Sequence, residues 1–207
     1  MSKIPLDYYQ NTDTLKLAKD LIGKLIFTQI EKGRVCGGII TETEAYLGAT
    51  DKASHAYNNR RTSRTETMYL PGGVAYIYLC YGIHHLFNIV SNKADIPHAI
   101  LIRGVFPVLG KEIMMKNTGK SNPYPLDGPG KLTKALGIST THNSILLTGN
   151  TIWLEDHKIK ISESDIMVTP RIGIDYAGED AGLPYRFVVK EMNKFTMQLP
   201  AHFNKHL

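Results

Sequence analysis

Two carboxylates and a tyrosine alternate in the segment from Ile40 to Tyr46. If this segment is a β-strand, its period of two places Glu42, Glu44 and Tyr46 on one face. Crowding of two carboxylates raises the pKa of at least one of them, and such a group can take a proton from water. Periodicity leaves Glu42 and Glu44 as equal candidates for a general base. Two solvent-facing glutamates on an edge strand are the alternative.

Three tyrosines, Tyr76, Tyr78 and Tyr81, occur within six residues. A buried tyrosine hydroxyl needs a hydrogen-bond partner, so we expect some of these side chains to be exposed. Aromatic rings near a basic surface can stack on a nucleobase or wedge into a duplex. Alternation places Tyr76 and Tyr78 on the face opposite Tyr81, which projects from a hairpin tip beside Gly82. Packing of these rings in the core is the competing explanation.

Positive charge is concentrated in two parts of the chain, which has a net charge of +5 over 207 residues. One cluster is Arg60, Arg61 and Arg64, and the stretch from Arg103 to Lys134 has six basic residues against two acidic ones. Both clusters fit a polyanionic partner, although a solvated charged face has the same composition.

Several other chemistries lack their motifs. Cys36 and Cys80 are the two cysteines, they lie outside any C-x-x-C pattern, and no H-E-x-x-H occurs, so we predict neither a disulfide framework nor a metal site. Gly130-Lys131 is followed by Leu132 instead of Ser or Thr, which excludes a P-loop, but amides at this helix start could meet a phosphate. No cofactor is expected.

Short strands in hairpins, with helices between them, must position these side chains. Strands are predicted over residues 25–27, 36–46, 74–81, 85–90, 99–103, 151–154, 158–161 and 187–190, and helices over 15–22, 113–115 and 132–136. Asn11, Thr12 and Asp13 supply capping oxygens for the first helix, and Lys32-Gly33 provides a turn. This mixture predicts the α+β class.

The composition is that of one folded domain. A chain of 207 residues, 43% hydrophobic and 21% charged, buries roughly 70% of its unfolded surface, so residues 1–207 are predicted to form a single domain. No apolar run approaches the ~20 residues that span a bilayer, and the N-terminus lacks the plan of a signal peptide. We therefore expect a cytoplasmic monomer without a membrane partner.

Many of these features recur together in one known family. The segments concerned are Glu42-Thr43-Glu44-Ala45-Tyr46, His55, Tyr76 to Gly82, Asn88, Leu101-Ile102-Arg103, Gly128 to Leu132, Pro170 to Ile174 and Pro184 to Phe187. In order and spacing, the chain resembles the alkyladenine (3-methyladenine) DNA glycosylase family, in its compact microbial form. The resemblance runs from Leu21 to Phe187 and implies a curved, mainly antiparallel, open-barrel-like sheet flanked by helices.

The resemblance also separates the two carboxylates. It implies that Glu44 is the general base that activates water, that Arg103 helps to hold this water, and that Glu42 has a supporting role. A single activated water implies inversion at the sugar carbon. Since the matching set has no lysine placed to form a Schiff base, a monofunctional enzyme without strand cleavage is expected. Contacts to the DNA backbone are expected from Arg60, Arg61, Arg64, Gly130 and Lys131.

The remaining matched residues are implied to bind the flipped base. Tyr46 would stack on one face of the base, with His55 and Tyr78 on the other, and His55 would also offer a hydrogen bond to the base edge. Tyr81 would enter the duplex as a wedge, and Asn88 would crowd the exocyclic amine of normal guanine.

The resemblance implies a nucleoid-associated protein whose partner is double-stranded DNA that contains damaged purines: 3-methyladenine, 7-methylguanine, hypoxanthine or ethenoadenine. Alkylation at a ring nitrogen makes a purine cationic, which an electron-rich aromatic pocket favours. Two alternatives remain: a nucleic-acid-binding module on the same scaffold that does not hydrolyse, and a carboxylate hydrolase of free nucleosides or sugars.

Overall fold

The computed structural model of the protein describes residues 3–122, 126–191, 198–199 and 203. Its helices are α1 (Leu6–Tyr9), α2 (Thr14–Asp20), α3 (Lys111–Thr118) and α4 (Pro129–Leu136). Its strands are β1 (Leu25–Glu31), β2 (Arg34–Tyr46), β3 (Ala75–Cys80), β4 (His84–Ser91), β5 (His98–Leu109), β6 (Ile152–Glu155), β7 (Ile166–Thr169) and β8 (Arg186–Val189). The predicted α+β class is confirmed. No helix in this described part is long and apolar enough to cross a membrane.

The strands form one antiparallel sheet, whose main path runs β3-β4-β5-β2-β1-β6. The first half of β2 pairs with β1, and its second half pairs with β8, which in turn pairs with β7. The sheet curls into a half-barrel, as the family resemblance implied. Because β5 and β8 flank the second half of β2, the segment with the two carboxylates is an inner part of the sheet. The edge-strand alternative is therefore wrong.

Strand β2 departs from regular pairing around its first carboxylate. The register between β2 and β5 shifts on both sides of Glu42. Gly104 lies directly across, and a Cβ there would stand 2.7 Å from Thr41 Oγ1 and 3.0 Å from Glu42 Cβ. Glycine permits this close approach, and irregularities of this kind bend a strand and re-aim its side chains.

Helices α2 and α4 cover the sheet and form the main core with it. The buried side chains of this core include Leu17 of α2 and Leu21 directly after it, Leu132 and Leu136 of α4, and Phe87 of β4. Asp13 caps α2 by accepting from the backbone N–H of Lys16, as the capping residues predicted. Burial of side chains of this size stabilises a fold by about 1.5–3 kcal/mol each, so this core fixes the sheet on which the site is built.

Both predicted hairpins are present. Strands β1 and β2 are joined at Lys32-Gly33, and β3 and β4 are joined by residues 81–83. Tyr81 lies in this second turn with a φ of 50°, in the left-handed region that a bulky residue seldom adopts.

The prediction of a strand over residues 158–161 is wrong. Ile159 and Ile161 are half-buried against the core, which explains the alternation, but the segment has no strand partner among the described residues. Instead, the side-chain amide of Gln198 donates to the Lys160 carbonyl and accepts from its N–H. Among the α-helices and strands, α1 and β7 were not predicted, and β5 extends six residues beyond the predicted end at Arg103.

Candidate active site

A cleft of about 910 Å³ opens beside β2, β3 and β4. Ten of the twelve predicted site residues line it: Tyr46, His55, Arg60, Arg64, Tyr78, Tyr81, Asn88, Arg103, Gly130 and Lys131. The two others are Glu44, which lies beneath the lining, and Arg61. Residues separated by up to 85 positions in the sequence therefore meet in one cavity that is large enough for a purine nucleotide.

The lining of the cleft is basic. Its Lys and Arg side chains are Lys52, Arg60, Arg64, Arg103 and Lys131, and none of the described residues that line it is acidic. A concave surface of one charge sign focuses the field and attracts a ligand of opposite charge. The cleft thus has the electrostatics of a site for a polyanion.

Glu44 lies under the cleft, with no exposed surface. Its Oε1 accepts from the backbone N–H of Ile172 at 2.8 Å, and its Oε2 accepts from the Tyr46 hydroxyl at 2.8 Å. The Nε of Arg103 stands 3.4 Å from Oε1. A carboxylate can accept about four hydrogen bonds, and these contacts, fewer than four, orient Glu44.

Burial raises the pKa of Glu44, because it disfavours the charged form. Arg103, the Ile172 amide and the Tyr46 hydroxyl act in the opposite direction and stabilise the carboxylate, while Glu42 adds to the rise. A carboxylate with a raised pKa is a stronger base, and three neighbours here favour its ionised form, a combination suited to general-base work.

Glu42 joins the same network from the outer side. Its Oε1 accepts from the Nε atoms of Arg103, at 3.0 Å, and Arg186, at 2.6 Å. Arg103 therefore bridges both carboxylates, which confirms that Glu42 and Glu44 share a face. The two are not equivalent, since Glu42 is held by two guanidinium groups and Glu44 by the groups that line the cleft.

A buried ion pair supports the floor of the cleft. Arg171 pairs with Asp51 through both terminal nitrogens, at 2.5 and 2.8 Å, and donates to the carbonyl of Ala45. Its guanidinium also packs on the rings of Tyr46, at 4.7 Å, and Tyr185, at 5.2 Å. Arg171 precedes Ile172, whose N–H binds Glu44, and it contacts Ala45, which follows Glu44 in β2. It therefore ties the chain around Ile172 to the end of β2.

Three aromatic side chains that line the cleft and contact one another form what we call the aromatic wall: His55, Tyr76 and Tyr78. The ring centroids of His55 and Tyr78 are 4.6 Å apart at 76°, and those of Tyr76 and Tyr78 are 5.5 Å apart. His55 Nδ1 and the Tyr76 hydroxyl are 2.9 Å apart. Burial, followed by Arg64 and Arg60, lowers the pKa of His55 to about 4, so its ring is neutral at pH 7.

Two further predicted site residues, Asn88 and Tyr81, lie at different depths in the cleft. Asn88 is buried, and its side-chain N–H groups donate to the backbone carbonyls of Tyr76, at 3.1 Å, and Leu86, at 3.4 Å. Its orientation at the cleft is thereby fixed. Tyr81 has 90% of its surface exposed at the rim. The explanation of these tyrosines as core residues holds for Tyr76 and is wrong for Tyr81.

The residues predicted to contact the DNA backbone fall into different settings. Arg61 binds Glu66 with two N–H groups, at 2.9 and 2.6 Å, and Asp95 at 2.9 Å, away from the cleft lining. Lys131 pairs with Asp127 at 2.7 Å. Gly130, at the start of α4, lies against His84, whose Nδ1 would be 2.8 Å from an added Cβ. Contact of these residues with DNA stays a prediction.

The profile of the family described as Methylpurine-DNA glycosylase (MPG) matches residues 7–193. The chain belongs to this family. It is 48% identical over 189 residues to a protein of Chlamydia felis, a match that covers 90% of this chain and 95% of the relative. It is 42% identical over 199 residues to one of Clostridium perfringens (91% and 96% covered) and 43% identical over 188 residues to one of Bacillus licheniformis (90% and 93%). All three are provisionally named 3-methyladenine DNA glycosylases.

Three site residues of this methylpurine-DNA glycosylase family member were not predicted to have a role. Asp51 and Arg171 are 120 positions apart, so no local pattern indicates their pairing. Ile172 acts through its backbone N–H, which side-chain chemistry does not reveal. The one signal was the segment Pro170 to Ile174, which contributed to the family resemblance without an assigned function. Among the described residues, no group of three or more His, Cys, Asp or Glu could hold a metal ion.

Proposed function

We propose that the protein flips damaged purines out of duplex DNA and hydrolyses their N-glycosidic bond, with Glu44 as the general base. The observation that carries this proposal is the position of Glu44: a buried carboxylate with a raised pKa beneath a basic cleft with an aromatic wall. Family membership supports glycosylase chemistry on DNA. The proposal extends it to a mechanism and to individual residues.

In the proposed reaction, Glu44 takes a proton from a water whose oxygen attacks the anomeric carbon of the sugar. The N-glycosidic bond breaks, and its electron pair leaves with the purine, which gives a free base and an abasic site. Arg103 favours the ionised form of the carboxylate and helps to orient it. General-base assistance of this kind contributes about 10²- to 10⁴-fold in rate.

The leaving group decides how much further help the reaction needs. A purine alkylated at a ring nitrogen is cationic and leaves as a neutral base, so no acid is required. A neutral lesion such as hypoxanthine must gain a proton from an acid as it leaves. With one activated water, the product inverts at the sugar carbon, and the absence of a Schiff-base lysine in the matched set argues for a monofunctional enzyme.

Access to a base inside a duplex requires flipping, which costs a few kcal/mol and less for a damaged base. In this proposal the exposed Tyr81 at the rim fills the gap that the nucleotide leaves, and the base stacks on Tyr46 and the aromatic wall; the exposure of Tyr81 and the lining of the cleft support these roles. Stacking contributes about 1–3 kcal/mol per base and so offsets the cost of flipping. We propose Arg60, Lys131 and the amide of Gly130 as contacts to the phosphates.

The test is release of free base from duplexes that contain 3-methyladenine, 7-methylguanine, hypoxanthine or ethenoadenine, with an undamaged duplex as the control. The wild-type protein should release at least one of the damaged bases. Glu44→Gln should keep lesion binding and lose release, because glutamine cannot accept the proton. Binding without release by the wild type would favour the non-catalytic module, and release from free nucleosides alone would favour a nucleoside hydrolase.

A further inference from the structure

We propose that Arg64 determines specificity in the base pocket: it places a positive charge on the aromatic wall and so disfavours cationic purines relative to neutral ones. This inference rests on the proposed function and deepens it by assigning the choice between lesions to one side chain. The sequence had suggested a different role for Arg64, that of a contact to the DNA backbone.

The evidence is the position of the Arg64 guanidinium within the cleft. Its central carbon lies 5.0 Å from the centroid of the Tyr78 ring, and its Nη2 stands 3.4 Å from Nε2 of His55. One guanidinium therefore meets two members of the aromatic wall, Tyr78 and His55. Arg64 is an exposed residue, so we do not expect these contacts to anchor the fold.

The contact with His55 also fixes the arrangement of its protons. A guanidinium has donors and no acceptor, so Nε2 of His55 faces it with a lone pair. In the neutral ring the proton is then on Nδ1, which donates to the Tyr76 hydroxyl. Both ring nitrogens of His55 are thereby engaged, Nε2 by Arg64 and Nδ1 by the Tyr76 hydroxyl.

The electrostatic consequence follows from the chemistry of damaged purines. Aromatic rings attract a cation through their π-faces, but a ring that already holds a guanidinium has used much of that attraction. A purine with a fixed positive charge must in addition approach Arg64 itself, and two like charges near a protein surface repel each other. A neutral purine avoids both penalties.

The experiment compares the binding of two lesions in a Glu44→Gln background, where neither base should be released. One duplex carries 7-methylguanine, which is cationic, one carries hypoxanthine, which is neutral, and one is undamaged. We expect Arg64→Met to raise the ratio of affinities, cationic over neutral, by about three- to tenfold. Arg64→Lys, which keeps the charge, should restore most of the original ratio.

Lys131→Met is the matched control, because it removes one positive charge from the same cleft while its ammonium pairs with Asp127 instead of the aromatic wall. Both duplexes should weaken equally in this variant and the ratio should stay constant. A ratio that Arg64→Met leaves within twofold, or lowers, would overturn the assignment. So would equal binding of both lesions and the undamaged duplex. Failure of the proposed function is distinct, since it would appear as no base release by the wild type.

Discussion

The backbone N–H of Ile172 donates a 2.8 Å hydrogen bond to Oε1 of Glu44, across 128 positions of sequence. A backbone donor is held by the fold and cannot rotate away, so it orients the carboxylate more firmly than a surface side chain could. The segment that carries this amide is tied down by Arg171, its neighbour, which pairs with Asp51. The general base that we propose is therefore positioned by an ion pair that does not touch it.

Loss of Asp51 should reveal this indirect support. Removing one partner of a buried ion pair costs about 3–5 kcal/mol, so Asp51→Asn should lower the free energy of unfolding by about that order, as measured by urea denaturation. Base release should fall more than binding of a lesion duplex does, because the Ile172 amide loses its fixed position. Arg171→Lys should have a similar effect, since a lysine cannot make the bidentate contact.

A double-mutant cycle separates this support from general destabilisation. If the ion pair acts as one unit, the double variant Asp51→Asn, Arg171→Lys should be about as impaired as either single variant. Additive effects on both stability and base release would contradict the coupling.

Substitution of the two glutamates should distinguish their roles. Glu44→Gln should lower single-turnover base release by at least about 100-fold. The contacts described above for the Glu42 carboxylate are both with guanidinium groups, so Glu42→Gln should lower base release by less than about tenfold. Rapid quenching with detection of the free purine measures both rates. Equal losses would mean that the two carboxylates act as a pair.

Removal of the Glu44 charge should not harm stability. Burial raises the pKa of Glu44 above its unfolded value, so the folded state holds the proton more tightly, and stability from this group is lost as pH rises through the folded pKa. At neutral pH the carboxylate therefore opposes folding, and Glu44→Gln should have an equal or higher melting temperature. Calorimetry at pH 7.5 tests this, and a clear decrease would contradict the sign of the shift.

The pH dependence of base release should move in opposite directions in two variants. The base must be ionised, so release should decline as pH falls through the raised pKa of Glu44. Arg103→Gln removes a group that lowers this pKa and should shift the acidic limb to higher pH, while Glu42→Gln removes one that raises it and should shift the limb to lower pH. Rates on 7-methylguanine duplexes are the suitable measurement, because this leaving group needs no acid. Shifts of the same sign would exclude Glu44 as the titrating base.

Contacts between residues close in sequence could be predicted, whereas contacts between residues far apart in sequence could not. Capping by Asp13 and the turn at Lys32-Gly33 are local, and both were predicted correctly. The alternation that placed Glu42 and Glu44 together survived the irregular pairing around them. The alternation of apolar and polar residues around Lys160 led to a wrong strand prediction, because a strand also needs a neighbouring strand. There the side chain of Gln198 makes the hydrogen bonds to the Lys160 backbone that a neighbouring strand would make.

The parts of the site that could not be predicted are long-range or involve the backbone. The Asp51–Arg171 pair forms because strand β8 and the segment before it return to the end of β2, a closure that local patterns do not encode. The residue type of Arg64 suggested a phosphate contact, while its position on the aromatic wall depends on how the loop after His55 folds back over β3.

Tyr81 offers a last test, in which function and stability should separate. Its φ of 50° is unfavourable for a bulky residue, and its side chain is 90% exposed, so little packing stabilises it there. Asparagine adopts this conformation more readily, and strain of this kind costs about 1–3 kcal/mol. Tyr81→Asn should therefore keep or raise the melting temperature and yet lower base release from duplex DNA by at least about tenfold, because the wedge is lost. Ile83→Ser, which removes another exposed apolar side chain of the same turn, should lower release far less. If both variants reduce release equally, the tip acts through general apolar contact, and the strained tyrosine has no special role.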